Sequence, residues 1–340
     1  ARSFARGQYR AVFFSARKET MSRIHEALKK AEQERAAVQA VGTDILTATP
    51  TVEASTFPPP VADTAAANRL VADKLAASTG GYLRFDDLRK HCAHPVWHLD
   101  PNVNVFINPE LSAHGAEQFR TLRSRLYQIR AAQPLRTMLI TSSLPAEGKT
   151  FVTNNLAQAI VRQPDRRALI IDADLRCSRL HVPLGAPAAP GLTDYLRGEV
   201  DELAIIQHGL DGNLCFIPGG NQVTNPSELL SNGRLRALLE RVVPVFDWVI
   251  LDSAPLLPVS DSSVLADLVD GVLLVVRAGQ TPAESAQRAC QELKGRNIVG
   301  VVLNAVGPQH AYGEPYYSST YGYGAGYGHA EPGIAATDRN

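Results

Sequence analysis

Thr141-Ser142-Ser143-Leu144-Pro145-Ala146-Glu147-Gly148-Lys149-Thr150 joins an apolar run, residues 136–141, to a helical stretch whose Val152, Leu156, Ala159 and Ile160 share one face. A strand, a small-residue turn ending Gly-Lys-Thr and a helix make up a phosphate-binding loop of the form GxxxxGK[ST], with Ser143 in place of the first glycine. Gly148 lets the backbone approach an anion closely, and the loop amides and the helix N-terminus point at it. Lys149 is expected to reach the β- and γ-phosphates and Thr150 to hold Mg²⁺, while Ser143, Ala146, Glu147 and Phe151 complete the nucleotide cradle.

Two further runs end in acids. Leu169-Ile170-Ile171-Asp172-Ala173-Asp174-Leu175-Arg176 places two carboxylates at the end of one buried strand, and Trp248-Val249-Ile250-Leu251-Asp252 places one at the end of another. Strand ends beside a phosphate loop form the ligand crevice of open α/β sheets, which makes a mere helix cap or surface turn the weaker reading for these acids. Three acids, a lysine and a hydroxyl suit a Mg²⁺-nucleotide, because a hard cation takes oxygen ligands.

Residues 168–171, 214–217, 248–251, 272–276 and 298–303 are short runs rich in Val, Ile and Leu, separated by longer helical patterns. Near-continuous apolar runs fit parallel strands covered on both faces. The expectation is an α/β fold: a doubly wound, mostly parallel sheet of the P-loop NTPase type over residues 112–307.

Before this domain, residues 1–40 read as an N-terminal extension with an amphipathic helix from Ser22 to about Ala37, in which Ile24, Ala27, Leu28 and Ala31 recur at helical spacing. The basic residues 1–20 resemble a transit peptide in composition, but read more simply as sequence upstream of a start at Met21. Residues 41–111, with Pro58-Pro59-Pro60, read as a linker. Within it, His91-Cys92-Ala93-His94-Pro95-Val96-Trp97-His98 lacks a second ligand cluster and is not read as a metal site. Residues 308–340 form a tail in which six of the ten tyrosines, Tyr312, Tyr316, Tyr317, Tyr321, Tyr323 and Tyr327, are interleaved with glycine.

Lysine plus arginine and aspartate plus glutamate both number 34, so charge argues for no nucleic-acid partner. No apolar run approaches the about 18 residues needed to cross a bilayer. The four scattered cysteines favour a reducing compartment, and a cytoplasmic location is expected.

Taken together these segments resemble the bacterial tyrosine kinases of exopolysaccharide and capsule synthesis, over residues 112–327. The loop at 141–150 looks like their Walker A, residues 169–176 like their Walker A′, and residues 249–255 like their Walker B. Glu117-Gln118-Phe119-Arg120-Thr121-Leu122-Arg123 is similar to their ExxRxxR pattern, and residues 191–196 and 225–230 look familiar too. The resemblance implies an ATP- and Mg²⁺-dependent tyrosine autokinase, with Lys149, Asp172 and Asp174 as catalytic residues, Thr150, Asp172 and Asp252 as metal ligands, Tyr312–Tyr327 as phosphoacceptors and Asp172 as acceptor of the phenol proton. It implies a ring-shaped homo-oligomer built through Glu117, Arg120 and Arg123, whose spacing is also that of an ordinary solvated helix face. It further implies Asn304 against adenine (a turn residue being the plainer reading), a phosphatase, and a membrane co-polymerase-type activator that recruits the kinase to the inner face of the membrane. The helix after Met21 is a candidate contact for that activator. The partitioning ATPases of the same fold carry a signature lysine that falls on Leu144 here, and they lack the tyrosine tail. Two other readings remain open at this stage: an ATPase switch without kinase activity, and a non-catalytic scaffold with an adhesive tail.

Overall fold

The computed structural model describes residues 12–15, 84–209 and 213–306. These all belong to one compact unit, Ala1–Gly307; the second unit, Pro308–Asn340, with all six tail tyrosines, lies outside the described residues, as do the helix expected after Met21 and Pro58–Pro60.

The unit is built on an eight-stranded sheet in the order β1-β8-β7-β2-β6-β3-β5-β4. β1 is Val12–Ser15, β2 Thr137–Ser142, β3 Ala168–Asp172, β4 Gln207–His208, β5 Leu214–Ile217, β6 Trp248–Asp252, β7 Gly271–Arg277 and β8 Ile298–Asn304. The six central strands are parallel, and the short edge strands β1 and β4 are antiparallel to their neighbours. The six strands expected from their apolar runs all form. β1 lies within the segment set aside as upstream of Met21, yet it pairs with β8, Val12 opposite Leu303 and Ser15 opposite Gly300.

Alternation along each strand splits the core into two layers. Met138, Ile140, Ile170, Ile250 and Val275 face helix α2 (Pro109–Ala132) and helix α3 (Lys149–Val161), which supply Phe119, Leu122, Leu126, Leu156 and Ile160. Leu139, Ile171, Leu251 and Leu274 face the opposite layer, made by shorter helices bearing Leu192, Leu230, Leu238, Leu265 and Ala289. Side chains that alternate across a pleated strand can bury on both faces only when helices cover both, which is why these runs lack polar interruptions.

The linker reading fails for residues 84–108, which fold onto the sheet. Helix α1 (Phe85–His91) buries Phe85 and Leu88, and Cys92, Trp97 and Val105 are buried beyond it. Phe85 meets Phe246 edge-on at 5.8 Å and Trp97 meets Phe216 at 6.1 Å. These apolar residues are too widely spaced to show a period; their partners come from strands and loops over a hundred positions away. In the same stretch, His94 Nε2 lies 2.7 Å from the Arg89 carbonyl, and its ring lies 5.0 Å from that of His208.

Asn104 ties this segment to the helix behind the phosphate loop. Its side-chain oxygen accepts from Asn154 Nδ2 at 2.7 Å and from Gln158 Nε2, and its amide donates to the Asp100 and Pro183 carbonyls at 2.6 and 2.8 Å. All three side chains are buried. Asn104→Ala removes four buried hydrogen bonds and leaves the Asn154 amide without an acceptor, while the Gln158 amide keeps Asn154 Oδ1 and both carbonyls keep backbone donors, so a loss of about 1–3 kcal/mol in urea unfolding is expected. A loss below about 0.5 kcal/mol would show that water replaces the network.

Candidate active site

The phosphate loop begins where β2 ends. Ser143 is fully buried, and its hydroxyl has no partner among the described residues. It does not adopt a positive φ, which explains why the first glycine of the pattern is dispensable here. The left-handed positions in the loop are Ala146 (φ 64°) and Gly148 (φ 94°). Ala146 bears a strained backbone of the kind found at ligand sites, and its carbonyl accepts from Arg277 Nη1 at 3.2 Å. Gly148 is the N-cap of α3, so the first free amides of that helix open toward the loop.

Glu147 does not reach outward. Its carboxylate turns inside, accepting from the Leu144 amide at 2.8 Å and from the Thr281 hydroxyl, and it is buried. Burial raises its pKa against the pull of those donors. The side chain thus braces the loop, leaving only its backbone for a nucleotide. Asn304 is placed the same way: its amide donates to the Glu147 carbonyl at 2.9 Å from beneath the loop. It is 3% exposed, and its side-chain oxygen has no partner among the described residues. Phe151 packs edge-on against Phe119 at 5.8 Å, on the side of α3 that faces α2.

The three acids converge on Lys149. β3 and β6 are neighbours in register, which sets Asp172 directly beside Asp252. Lys149 Nζ lies 2.8 Å from Asp174 Oδ2 and 3.9 Å from Asp252 Oδ2. The Thr150 hydroxyl donates to Asp252 Oδ2 at 2.6 Å, and Thr153 donates to the other oxygen at 3.3 Å. Asp172 accepts from the Ser178 hydroxyl at 2.7 Å and the Leu180 amide at 2.9 Å. Burial works against the Lys149 charge, but Asp252 and Asp174 outweigh it and hold its pKa above the ordinary range. Burial, then the neighbouring Asp252 charge, pushes the Asp172 carboxyl up, and burial likewise raises Asp252.

Among the described residues no three His, Cys, Asp or Glu side chains are arranged as a closed metal cage. The open set of the Thr150 hydroxyl with Asp252 and Asp172 fits Mg²⁺ nonetheless. That ion keeps waters and phosphate oxygens and asks the protein for only one or two carboxylates.

Comparison with known proteins follows this geometry. No protein-family model matches the chain. The tyrosine-protein kinase YwqD of Bacillus subtilis (strain 168) is 30% identical over 203 residues, covering 59% of this chain and 85% of that protein. This chain belongs to the bacterial tyrosine kinase family. The kinase domain of the Escherichia coli tyrosine kinase ETK superposes with a TM-score of 0.57 at 34% identity, covering 62% of this chain and 81% of that one. The curated tyrosine-protein kinase etk of Escherichia coli (strain K12) is 39% identical over 201 residues, 58% of this chain but only 27% of that protein, so the chain spans about a quarter of that relative's length.

In this family member the residues expected at the site are brought together with few exceptions. Lys149, Thr150, Asp172, Asp174 and Asp252 share one cluster, whereas Glu147 and Asn304 sit behind it. Of the helix residues read as an oligomer contact, Glu117 and Arg120 pair with each other at 3.1 Å on an exposed face. Arg123 turns inward instead, its Nη1 donating to the Ala159 carbonyl at 2.6 Å, one of the free carbonyls at the end of α3.

The sequence reading missed a second cluster. Arg176, two residues beyond Asp174, grips buried Asp261 with two bonds of 2.7 and 3.0 Å, and Ser227 donates to the same carboxylate. Asp194 similarly accepts from the Gly191 amide at 2.7 Å and Asn221 Nδ2 at 2.9 Å. The segments 191–196 and 225–230 thus supply braces around the site. No periodic signal reveals which acid each will meet.

Proposed function

We propose that this chain is an ATP- and Mg²⁺-dependent protein-tyrosine autokinase that phosphorylates Tyr312, Tyr316, Tyr317, Tyr321, Tyr323 and Tyr327 between subunits of a ring. The observation that carries the reading is Lys149 held between Asp174 and Asp252 at the mouth of the phosphate loop, in a member of a tyrosine kinase family. Bound Mg-ATP supplies the transferable phosphoryl group and neutralises its charge. The protein supplies position and field. The loop amides and Lys149 orient the phosphates, Thr150 and Asp252 hold the metal, and Asp174 keeps Lys149 aimed. Asp172 receives the phenol proton, which its raised pKa favours.

The ring would use Glu117 and Arg120, with Arg123 fixing α2 to the end of α3. Neighbouring tails then meet the site at high effective concentration. Each phosphate adds about −1.5 to −2 charges, so phosphorylated protein is expected to sediment as a smaller species; an intact oligomer would contradict this. Tail phosphorylation would regulate exopolysaccharide polymerisation or export with a co-polymerase-type membrane activator, and a phosphatase would reset it. Among the described residues no helix is long and apolar enough to cross a membrane.

The test is site-resolved phosphotyrosine mapping of the purified chain with Mg-ATP. The expected result is label on Tyr312–Tyr327. ATP hydrolysis with a bare tail, even with an activator's cytoplasmic segment added, would make the chain an ATPase switch.

The raised acids also predict a pH dependence. A carboxyl whose folded pKa lies above its unfolded one contributes stability that is present below the unfolded value and lost as pH rises through the folded value. For Asp172 these are 3.8 and about 7, and Glu147 and Asp252 shift the same way. The nucleotide-free protein should therefore lose Tm between about pH 4 and pH 7, while the Tm gain from Mg-ATP grows over that window. A nucleotide gain independent of pH would place the ionised acids elsewhere.

A further inference from the structure

Residues 175–180 form a loop with two sides. One faces the acids, with the Cys177 amide on Asp174 Oδ1 at 3.0 Å and the Ser178 hydroxyl on Asp172 at 2.7 Å. The other lines a cleft of about 290 Å³, walled by Arg176, Arg179 and His181 and floored by Gly219 and Gly220. The roles assigned so far leave this cleft unused, although it shares a wall with the acid that takes the phenol proton.

Its chemistry is specific. Arg176 is neutralised by Asp261 through two hydrogen bonds. Arg179 is exposed, with its Nε on Cys177 Sγ at 3.3 Å, and has no acidic partner among the described residues. Burial and the Arg179 charge keep the His181 imidazole below its ordinary pKa and hence neutral, and its buried Nδ1 lacks a partner. The glycine floor is obligatory: a Cβ at Gly219 would lie 2.5 Å from Ser178 Oγ, the hydroxyl that holds Asp172. The cleft therefore offers one unpaired cation beside one neutral imidazole. A segment carrying a carboxylate close to a tyrosine matches the cation and brings a phenol to the wall shared with Asp172.

Between Tyr312 and Tyr327 the chain holds a single charged residue, Glu314, two positions after Tyr312 and two before Tyr316. We propose that this cleft docks the acceptor segment of a second copy by pairing Glu314 with Arg179, so that Tyr312, Tyr316 and Tyr317 are phosphorylated before Tyr321, Tyr323 and Tyr327. The proposal rests on the autokinase reading above. Each transfer forms a bond from the tyrosine oxygen to the γ-phosphorus and breaks that atom's bond to the β,γ-bridging oxygen, releasing ADP and the phenol proton. Tyr321 and Tyr323 have no acid within six positions, and Tyr327 has its nearest acid, Glu331, four positions on beyond His329, against two positions for Tyr312 and Tyr316, so the distal sites hold the charge that Arg179 selects farther away or not at all.

Two measurements on the full chain test this. The first is a time course of phosphate at each tyrosine, by mass spectrometry, in wild type, Glu314→Gln, Arg179→Glu and the exchanged pair Arg179→Glu/Glu314→Arg. Initial rates at the three proximal sites should exceed the distal ones by about threefold to fivefold, the scale of one partly exposed ion pair. Either single change should level them, and the exchange should restore the order. The second is the affinity of a fluorescent peptide copying residues 310–319, against the same peptide with glutamine at 314; the glutamate form should bind about threefold tighter, and Arg179→Glu should erase the difference. Equal rates in wild type, or an order unmoved by Arg179→Glu, would overturn the proposal. A peptide affinity indifferent to both charges would overturn it as well. If no tyrosine is labelled but the peptide preference holds, the kinase reading fails and the cleft stands as a docking site for acidic tyrosine segments.

Discussion

Lys149→Met should reduce tail phosphorylation by about a thousandfold or more, the loss seen when a preorganised charge on a transferring phosphoryl group is removed. Lys149 is the one cation within 4 Å of both Asp174 and Asp252 among the described residues. It serves two purposes: it neutralises phosphate charge when nucleotide is present, and it offsets the buried acids when it is absent. Methionine keeps the packing of the stem and removes both. The acids are then left without their cation, and breaking a buried pair costs about 3–5 kcal/mol when the remaining charge cannot be relieved. Here protonation relieves part of it, because burial already raises Asp252. The variant is therefore expected to fold with a lower Tm at neutral pH and to recover part of that loss at pH 5. Site-resolved mass spectrometry gives the activity, and calorimetry at two pH values gives the stability. Wild-type labelling rates in Lys149→Met would remove the phosphate loop from the reaction altogether.

The second large effect belongs to Gly148→Ala. The residue sits at φ 94°, and a Cβ there would come within 2.0 Å of Asn304 Nδ2 and 3.2 Å of its Cγ. A left-handed alanine costs about 1–2 kcal/mol, and the collision forces Asn304 off the Glu147 carbonyl or moves the loop. Either outcome misaligns the amides that cradle the phosphates. Nucleotide affinity is expected to fall by about a hundredfold, measured by titration with a fluorescent ATP analogue. Adding Asn304→Ala removes the colliding amide, so the double variant should bind better than Gly148→Ala alone. The coupling between the two sites is the diagnostic quantity. Additive losses would mean that the backbone conformation alone is at fault.

The site was more legible than its supports. Gly148, Lys149 and Thr150 are consecutive, and the acids at 172, 174 and 252 each end an apolar run, so chemistry and strand position were written in the same few residues. The side-chain directions of Glu147 and Asn304 were not legible, for a common reason. Their positions flank the nucleotide cradle, but where their side chains turn depends on Thr281 for Glu147 and on the Glu147 carbonyl for Asn304, contacts more than a hundred positions apart that only the folded sheet brings together. Arg123 shares helical spacing with Glu117 and Arg120, yet it is drawn inward by the free carbonyl of Ala159 on another helix.

By itself the sequence determined the parallel sheet, through apolar runs that need cover on both faces, and the phosphate loop, through local backbone and side-chain requirements. Both are properties of short segments and survive without knowledge of neighbours. Tertiary structure alone decided that residues 84–108 belong to the domain and that Val12–Ser15 adds a strand beside β8. It also decided that Asn104 locks the helix behind the loop and that Arg179 faces a glycine-floored cleft. Those outcomes depend on which buried polar group or open strand edge each residue meets. Such partners lie tens to hundreds of positions away, and no pattern along the chain encodes them.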